Sequence, residues 1–495
     1  MEYFSTRGSR EATNGAGAVI LGIAPDGGLY MPKSIPSLPV SLADFVEMDY
    51  FQTAETVMAP FFPEFDKKAF HEAVQSAYTG KFDVEEIVPV KEAGGFHFLE
   101  LYHGPTLAFK DMALSVLPEL MRLSLQVEGN TNQITILTAT SGDTGKAAMA
   151  GFKNREGFSI IVFYPSGKVS KMQYLQMATE DGKNCLTAAI RGNFDDTQTG
   201  VKQIFSDKEL SVELAQKGIQ LSSANSINIG RLLPQVAYYV YGYSRLVKNG
   251  TLKLGDPMNV SVPTGNFGNI LAAYFAKEMG LPIGKLICAS NDNHVLTDFF
   301  QTGAYDKNRE LKVTTSPSMD ILVSSNLERL LYLLSGRDGE RVKTWMNDLS
   351  TKGKYEVSDQ VKNAADELLY PYWADEKKVS NGIRALYEKT GYVMDPHTAI
   401  GQLAAEDYQA KTGDKTPVLV ASTASPFKFS DTMCEALEID TTHCKNVFDI
   451  ARAFSEKTGL PLPTQMTSLE TAPIRFNDEY AKEQMEEVVR HFLGV

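Results

Sequence analysis

Cysteine is scarce: Cys185, Cys288, Cys434 and Cys444 are the only four in 495 residues, and no two of them form a CxxC pair. Neither a disulfide framework nor a cysteine zinc site is therefore indicated. The seven histidines, His71, His97, His103, His294, His397, His443 and His491, contain no HExxH spacing, so no catalytic metal is expected. An excess of positive charge is also missing. With 48 Lys and Arg against 61 Asp and Glu, the formal net charge is -13. That balance disfavours nucleic acid or an anionic membrane as a partner, and an anionic substrate would need a local basic pocket. The start, Met1-Glu2-Tyr3-Phe4-Ser5, lacks both a basic region and a long apolar run. No secretion signal or anchor is expected there, and the cytoplasm is the default location. Internal repeats, heptads and long low-complexity linkers are absent too, which argues against an elongated scaffold.

What the chain does have is 43% hydrophobic residues, enough to bury a large core divided among two or three domains. From about residue 130 onward, short β-branched runs alternate with helical patterns. Ile134 to Leu137, Ser159 to Phe163, Asn259 to Val262, Lys285 to Cys288 and Val418 to Val420 read as strands. Continuous apolar runs of this kind indicate buried parallel strands of an α/β fold, whose ligands gather beyond the strands' carboxyl ends. The first 85 residues differ, with helical aromatic and acidic patterns such as Leu42 to Glu47, and read as a separate N-terminal domain.

Lys110 is the first candidate for chemistry. It closes the run His103-Gly104-Pro105-Thr106-Leu107-Ala108-Phe109-Lys110-Asp111, beside an aromatic ring and ahead of an apolar helical pattern. Desolvation lowers a lysine's pKa, and a neutral amine can attack an aldehyde to form an imine. An ordinary solvated lysine at a helix start is the commoner role, so the weight falls on the loops downstream.

Gly265-Asn266-Phe267-Gly268-Asn269 follows one predicted strand and opens a predicted helix. Such a turn offers backbone N–H groups at a positive helix terminus and suits a phosphate, although the Walker A spacing is absent. A plain tight turn with an Asn cap is the simpler alternative. Thr140-Ser141-Gly142-Asp143-Thr144-Gly145 has the same placement, with hydroxyls and N–H groups suited to a carboxylate, though capping alone would also explain it. Asn225-Ser226-Ile227-Asn228-Ile229-Gly230-Arg231 adds donors and an arginine able to grip a phosphate or carboxylate, or to form a surface ion pair. Ser422-Thr423-Ala424-Ser425-Pro426 supplies hydroxyls at another strand end. A hydroxyl beside a pyridine nitrogen would leave that ring largely unprotonated.

In this order, HGPTLAFKD around Lys110, SGDTG, GNFGN, the segment 225–231 and Ser316-Pro317-Ser318-Met319-Asp320-Ile321 resemble threonine synthase of the longer bacterial and fungal type. The likeness reaches both ends, through Ser5 to Gly8, Ala24 to Tyr30 and Asp395 to Ala399. It implies two parallel-sheet α/β lobes of the tryptophan synthase β-like type, with pyridoxal 5'-phosphate between them. An N-terminal domain over 1–85 would precede a catalytic region over 86–495, divided into a smaller lobe of about 110–225 and a larger one of about 226–495. The resemblance further implies that Lys110 forms the Schiff base, that Gly265, Asn266, Phe267, Gly268 and Asn269 hold the cofactor phosphate, and that Thr423 faces the pyridine nitrogen. It puts Asp143 on the ring hydroxyl side, Ser141 and Thr144 at the substrate carboxylate, and Ser226 and Arg231 near the substrate phosphate. Ser425 stands where many relatives carry a histidine, so no role of that histidine carries over.

The activity so implied is conversion of O-phospho-L-homoserine and water to L-threonine and phosphate. A phospho-lyase of the same fold giving a 2-oxo acid would share every cofactor residue. A non-catalytic amino-acid-binding relative is the alternative from outside enzymology, and retention of Lys110 counts against it.

Overall fold

A computed structural model describes residues 1–140 and 142–495. Its larger sheet has six strands in the order Leu369–Trp373, Ile283–Ser290, Met258–Pro263, Val418–Ser422, Phe96–Glu100 and Val90–Ala93. All neighbours run parallel except the last pair, which is an antiparallel hairpin. The smaller sheet is wholly parallel, in the order Glu479–Ala481, Cys185–Arg191, Phe158–Pro165, Gln133–Ala139 and Ile219–Ser222. Met258–Pro263, Val418–Ser422 and Phe158–Pro165 are buried along their full length, as expected of strands covered by helices on both faces. The five runs read as strands from the sequence are strands here, each a residue or more longer.

The division into lobes does not follow contiguous blocks of sequence. Val90–Ala93 and Phe96–Glu100, which precede Lys110, complete the larger sheet, so that sheet begins well before residue 226. Glu479–Ala481 returns to the smaller sheet, and the helix Met485–Leu493 buries Met485, Val488 and Val489 against its core. The physical reason is edge cover. Cys185–Arg191 would otherwise present an open row of N–H and C=O groups, and the returning segment pairs with it.

The N-terminal part is mainly helical, with Gly15–Leu21, Leu42–Glu47, Tyr50–Met58 and Lys67–Tyr78 beside a two-stranded pairing of Tyr3–Ser5 with Tyr30–Pro32. Ser41 and Asp49 each form a reciprocal cap with the residue three positions on, which fixes where two of these helices start. The long helix Ile229–Lys248 runs through the centre with almost every residue buried, and its start is held by the Asn228 side chain accepting from Gly230 N at 2.9 Å. No helix among the described residues is long and apolar enough to cross a membrane.

Candidate active site

Loops from the carboxyl ends of both sheets converge on Lys110, which opens the helix Lys110–Leu114. The turn before it is locally strained, with Leu107 at φ 59°. It is held from several sides. Asp111 accepts from Thr106 N at 2.8 Å and Thr106 Oγ1 at 2.6 Å, while Phe109 N donates to Thr423 O at 2.8 Å and Ser425 N donates to Leu107 O at 3.0 Å. The lysine is thereby set against the strand end that carries Thr423.

Lys110 Nζ donates to Ser318 Oγ at 3.1 Å and lies 3.4 Å from Asp143 Oδ2, to which Ser318 Oγ itself donates at 3.0 Å. The other Asp143 oxygen takes Lys428 Nζ at 2.7 Å and Gln173 Nε2 at 3.0 Å. Lys428 is buried and also donates to Thr106 O at 3.1 Å, so it ties the strained turn to the carboxylate. Gly142, at φ 136°, permits this approach: a Cβ there would lie 2.3 Å from the Gln173 carboxamide carbon.

Burial lowers the Lys110 ammonium; Asp143 opposes this, and Lys428 and Arg231 push the same way as burial. The net direction is down, toward the neutral amine a nucleophile needs. Burial alone would raise the Asp143 carboxyl, but Lys428 and Lys110 hold it well below the usual range. Arg231 is buried, donates from Nη1 to Ala224 O at 2.9 Å, and leaves Nε with no partner among the described residues. Burial pushes its guanidinium down to about 10.

The segment 265–269 links the strand Met258–Pro263 to the helix Gly268–Glu278. Phe267 adopts φ 66°, turning successive N–H groups to one side. Among the described residues nothing accepts a hydrogen bond from the N–H of Gly265 to Asn269. The outer side of the loop, by contrast, is fully engaged. Ser324 Oγ donates to Gly265 O at 2.6 Å, Asn326 N and Nδ2 donate to Asn266 O at 3.0 and 2.9 Å, and Asn269 Nδ2 donates to Pro263 O at 2.9 Å. A Cβ on Gly265 would stand 2.6 Å from Ser318 O, so only glycine lets the Ser318 loop close over it. Free donors on one face and anchored carbonyls on the other fit a phosphate.

Lys110, Asp143, Thr423 and the 265–269 loop thus share one cleft, and Arg231 borders it. The Thr423 side-chain hydroxyl has no partner among the described residues, while its N–H donates to Thr398 Oγ1 at 3.3 Å. Thr144 and Ser226 are half-buried on the flanking segments and make no side-chain bond among the described residues. Ser141 lies outside the described residues. Sequence reasoning missed Lys428, Gln173 and the roles of Ser318 and His397. His397 Nε2 accepts from Ser318 N at 3.2 Å and its Nδ1 faces Asp395 Oδ1 at 2.7 Å, which orients the Ser318 loop. The one sequence signal was a lysine inside the aromatic run Pro426 to Phe429, an unusual setting for a solvated charge.

His103, at the head of the Lys110 turn, sits 3.0 Å from Asp83 Oδ1 and 3.0 Å from Glu100 Oε2. Burial would lower it, but bonds to Asp83 and Glu100 raise it from 6.5 to about 9. A raised folded-state value means that the cation's contribution is complete below about 6.5 and lost as pH rises through about 9. Urea unfolding should therefore show about 2 kcal/mol less stability at high pH than at neutral pH, with the difference much reduced in His103→Asn. Equal pH dependence in the two proteins would exclude this pairing.

The model of the pyridoxal-phosphate dependent enzymes matches residues 89–423, and the chemistry of this class has a use for a largely buried lysine and a loop of free N–H donors. Two further family models flank it, Threonine synthase N terminus over 2–78 and Threonine synthase, C-terminal over 398–491. The chain belongs to the threonine synthase family. Threonine synthase of Saccharomyces cerevisiae is 38% identical over 468 residues, covering 88% of this chain and 89% of that protein. Human Threonine synthase-like 1 is 40% identical over 434 residues, and the match spans 85% of this chain but only 58% of that longer protein. The PLP-bound threonine synthase crystal structure from Brucella melitensis superposes with a TM-score of 0.88 at 36% identity, covering 99% of both chains.

Proposed function

We propose that this chain converts O-phospho-L-homoserine and water to L-threonine and phosphate, with pyridoxal 5'-phosphate held at Lys110. The observation that carries the reading is a surplus of buried cation. Lys110 and Lys428 pair with one carboxylate, Asp143, and Arg231 adds a further positive charge near Lys110, while the 265–269 loop supplies a separate row of unused N–H donors. A cofactor phosphate would occupy the loop. Arg231, with its unpartnered Nε, is then available to a second phosphate, the one on the substrate. An enzyme acting on an unphosphorylated amino acid would have no use for that second grip.

The bound cofactor would supply a conjugated ring able to accept the electrons of a deprotonated Cα. The chain's own residues do the rest. Lys110 would remove the Cα proton of the substrate and later return one, its basicity lowered by burial from that of a free lysine. Tethering beside the carbons also lets it take a Cβ proton as phosphate leaves Cγ. Ser318 Oγ and Asp143 Oδ2 fix where the amine rests between transfers. Thr423 would offer a hydroxyl rather than a carboxylate to the ring nitrogen, Thr144 would border the substrate carboxylate, and Ser226 would lie with Arg231 at the departing phosphate. A location in the cytoplasm belongs to the same reading.

Product identification tests it. Protein loaded with pyridoxal phosphate, given O-phospho-L-homoserine in ¹⁸O-water, should release phosphate and threonine in equal amounts, with the label in the threonine hydroxyl. Release of 2-oxobutanoate with ammonia would replace the proposal by the phospho-lyase reading, and no turnover would remove both.

A further inference from the structure

We infer that Arg329 is a positioning residue, a clasp by which the N-terminal segment holds the substrate-phosphate loop 225–231 in register with the cofactor-phosphate loop 265–269. Its guanidinium is fully buried and reaches three separate parts of the chain. Nε donates to Tyr30 O at 3.1 Å on the N-terminal pairing, Nη2 donates to Ile227 O at 2.5 Å, and Nη1 donates to Asn326 Oδ1 at 2.5 Å. Asn326 is the residue that holds Asn266 O with both its N–H and its carboxamide. One planar cation therefore links both anion loops to a strand some 300 residues away in sequence. No carboxylate bonds to it among the described residues, and the three hydrogen bonds it makes go to carbonyl and carboxamide oxygens. A lysine, with a single nitrogen, cannot span the three.

The same tie is made elsewhere along that interface. Ser222 Oγ donates to Ile20 O at 3.0 Å and Asn228 Nδ2 donates to Val19 O at 2.9 Å, so the end of the helix Gly15–Leu21 grips the loop from its other side. Next to Arg329, Glu328 receives Thr6 Oγ1 at 2.6 Å and the Arg7 fork at 2.9 and 2.8 Å. Ile227 lies between Ser226 and Asn228, and Arg231 follows within one turn of helix. A shift of the Ile227 carbonyl is thus a shift of the group proposed to hold substrate phosphate. The cofactor loop keeps its bonds from Ser324 and Asn326 when Arg329 is changed, so the two loops should respond unequally.

This inference rests on the proposed assignment of those two loops, and the experiment separates the two. Pyridoxal phosphate affinity is read by absorbance titration of the cofactor-free protein, inorganic phosphate affinity by calorimetry on the loaded protein, and kcat and KM with O-phospho-L-homoserine. Arg329→Lys should raise KM and the phosphate Kd at least tenfold, with cofactor Kd changed less than threefold and kcat changed less than KM. Ser222→Ala, which removes one buried hydrogen bond and no charge, should raise KM and phosphate Kd two- to threefold, and it decides the matter if Arg329→Lys does not fold. A wild type that binds neither pyridoxal phosphate nor phosphate overturns the loop assignment. A wild type that binds both, with variants whose phosphate Kd and KM are unchanged or whose kcat alone falls, overturns the clasp.

Discussion

Lys110→Ala should lower turnover of O-phospho-L-homoserine by at least about 10⁴-fold, because it removes both the covalent anchor and the tethered base. The visible absorbance of lysine-linked pyridoxal phosphate should vanish in the same variant. Cofactor bound through its phosphate alone should persist at reduced affinity, since the N–H row at 265–269 does not depend on the lysine. The fold should survive: Lys110 is partly exposed to the cleft, and its loss leaves Asp143 still paired with Lys428 and Gln173. Spectrum, turnover and thermal unfolding measured on one preparation check all three statements. Near-normal turnover would refute the role of this lysine outright.

The second large effect is expected at Lys428. Lys428→Met leaves the Asp143 carboxylate buried with Lys110 as its remaining ion-pair partner among the described residues and frees Thr106 O, so stability should fall by about 3 kcal/mol or more. Turnover should fall about 10²- to 10³-fold, because the carboxylate that orients Lys110 loses its strongest partner and keeps only Gln173, Ser318 and Lys110 itself. The sign of the pH response is a sharper test. With Lys428 present, Asp143 stays ionised far into acid; without it, burial moves the carboxyl upward. The variant should therefore lose activity as pH falls through a range where the wild type is flat. A variant with wild-type turnover and an unaltered acid limb would show that Lys428 merely fills space.

The parts of this molecule legible in its sequence are those whose signal is local. Ile134 to Leu137 and Val418 to Val420 announce buried strands because both faces of a parallel strand are covered and every position is apolar. The 265–269 loop is legible because glycines and a helix pattern sit side by side. Lys428 is not, because its partners are Asp143 and Thr106, the latter 322 positions away, and the aromatic residues on either side of it hint at burial without naming what it pairs with. Arg329 is hidden for the same reason. The sequence suggests contiguous lobes because three-residue strands such as Glu479–Ala481 are too short to carry a periodicity of their own.

That late-returning strand has a consequence for synthesis. As the chain leaves the ribosome, four strands of the smaller sheet are available by residue 222, yet the partner of Cys185–Arg191 emerges only after another 250 or so residues. During that interval a nascent sheet carries an open flank able to pair with a neighbouring polypeptide, the situation in which holdase chaperones act. Release of the final helix, Met485–Leu493, closes that window.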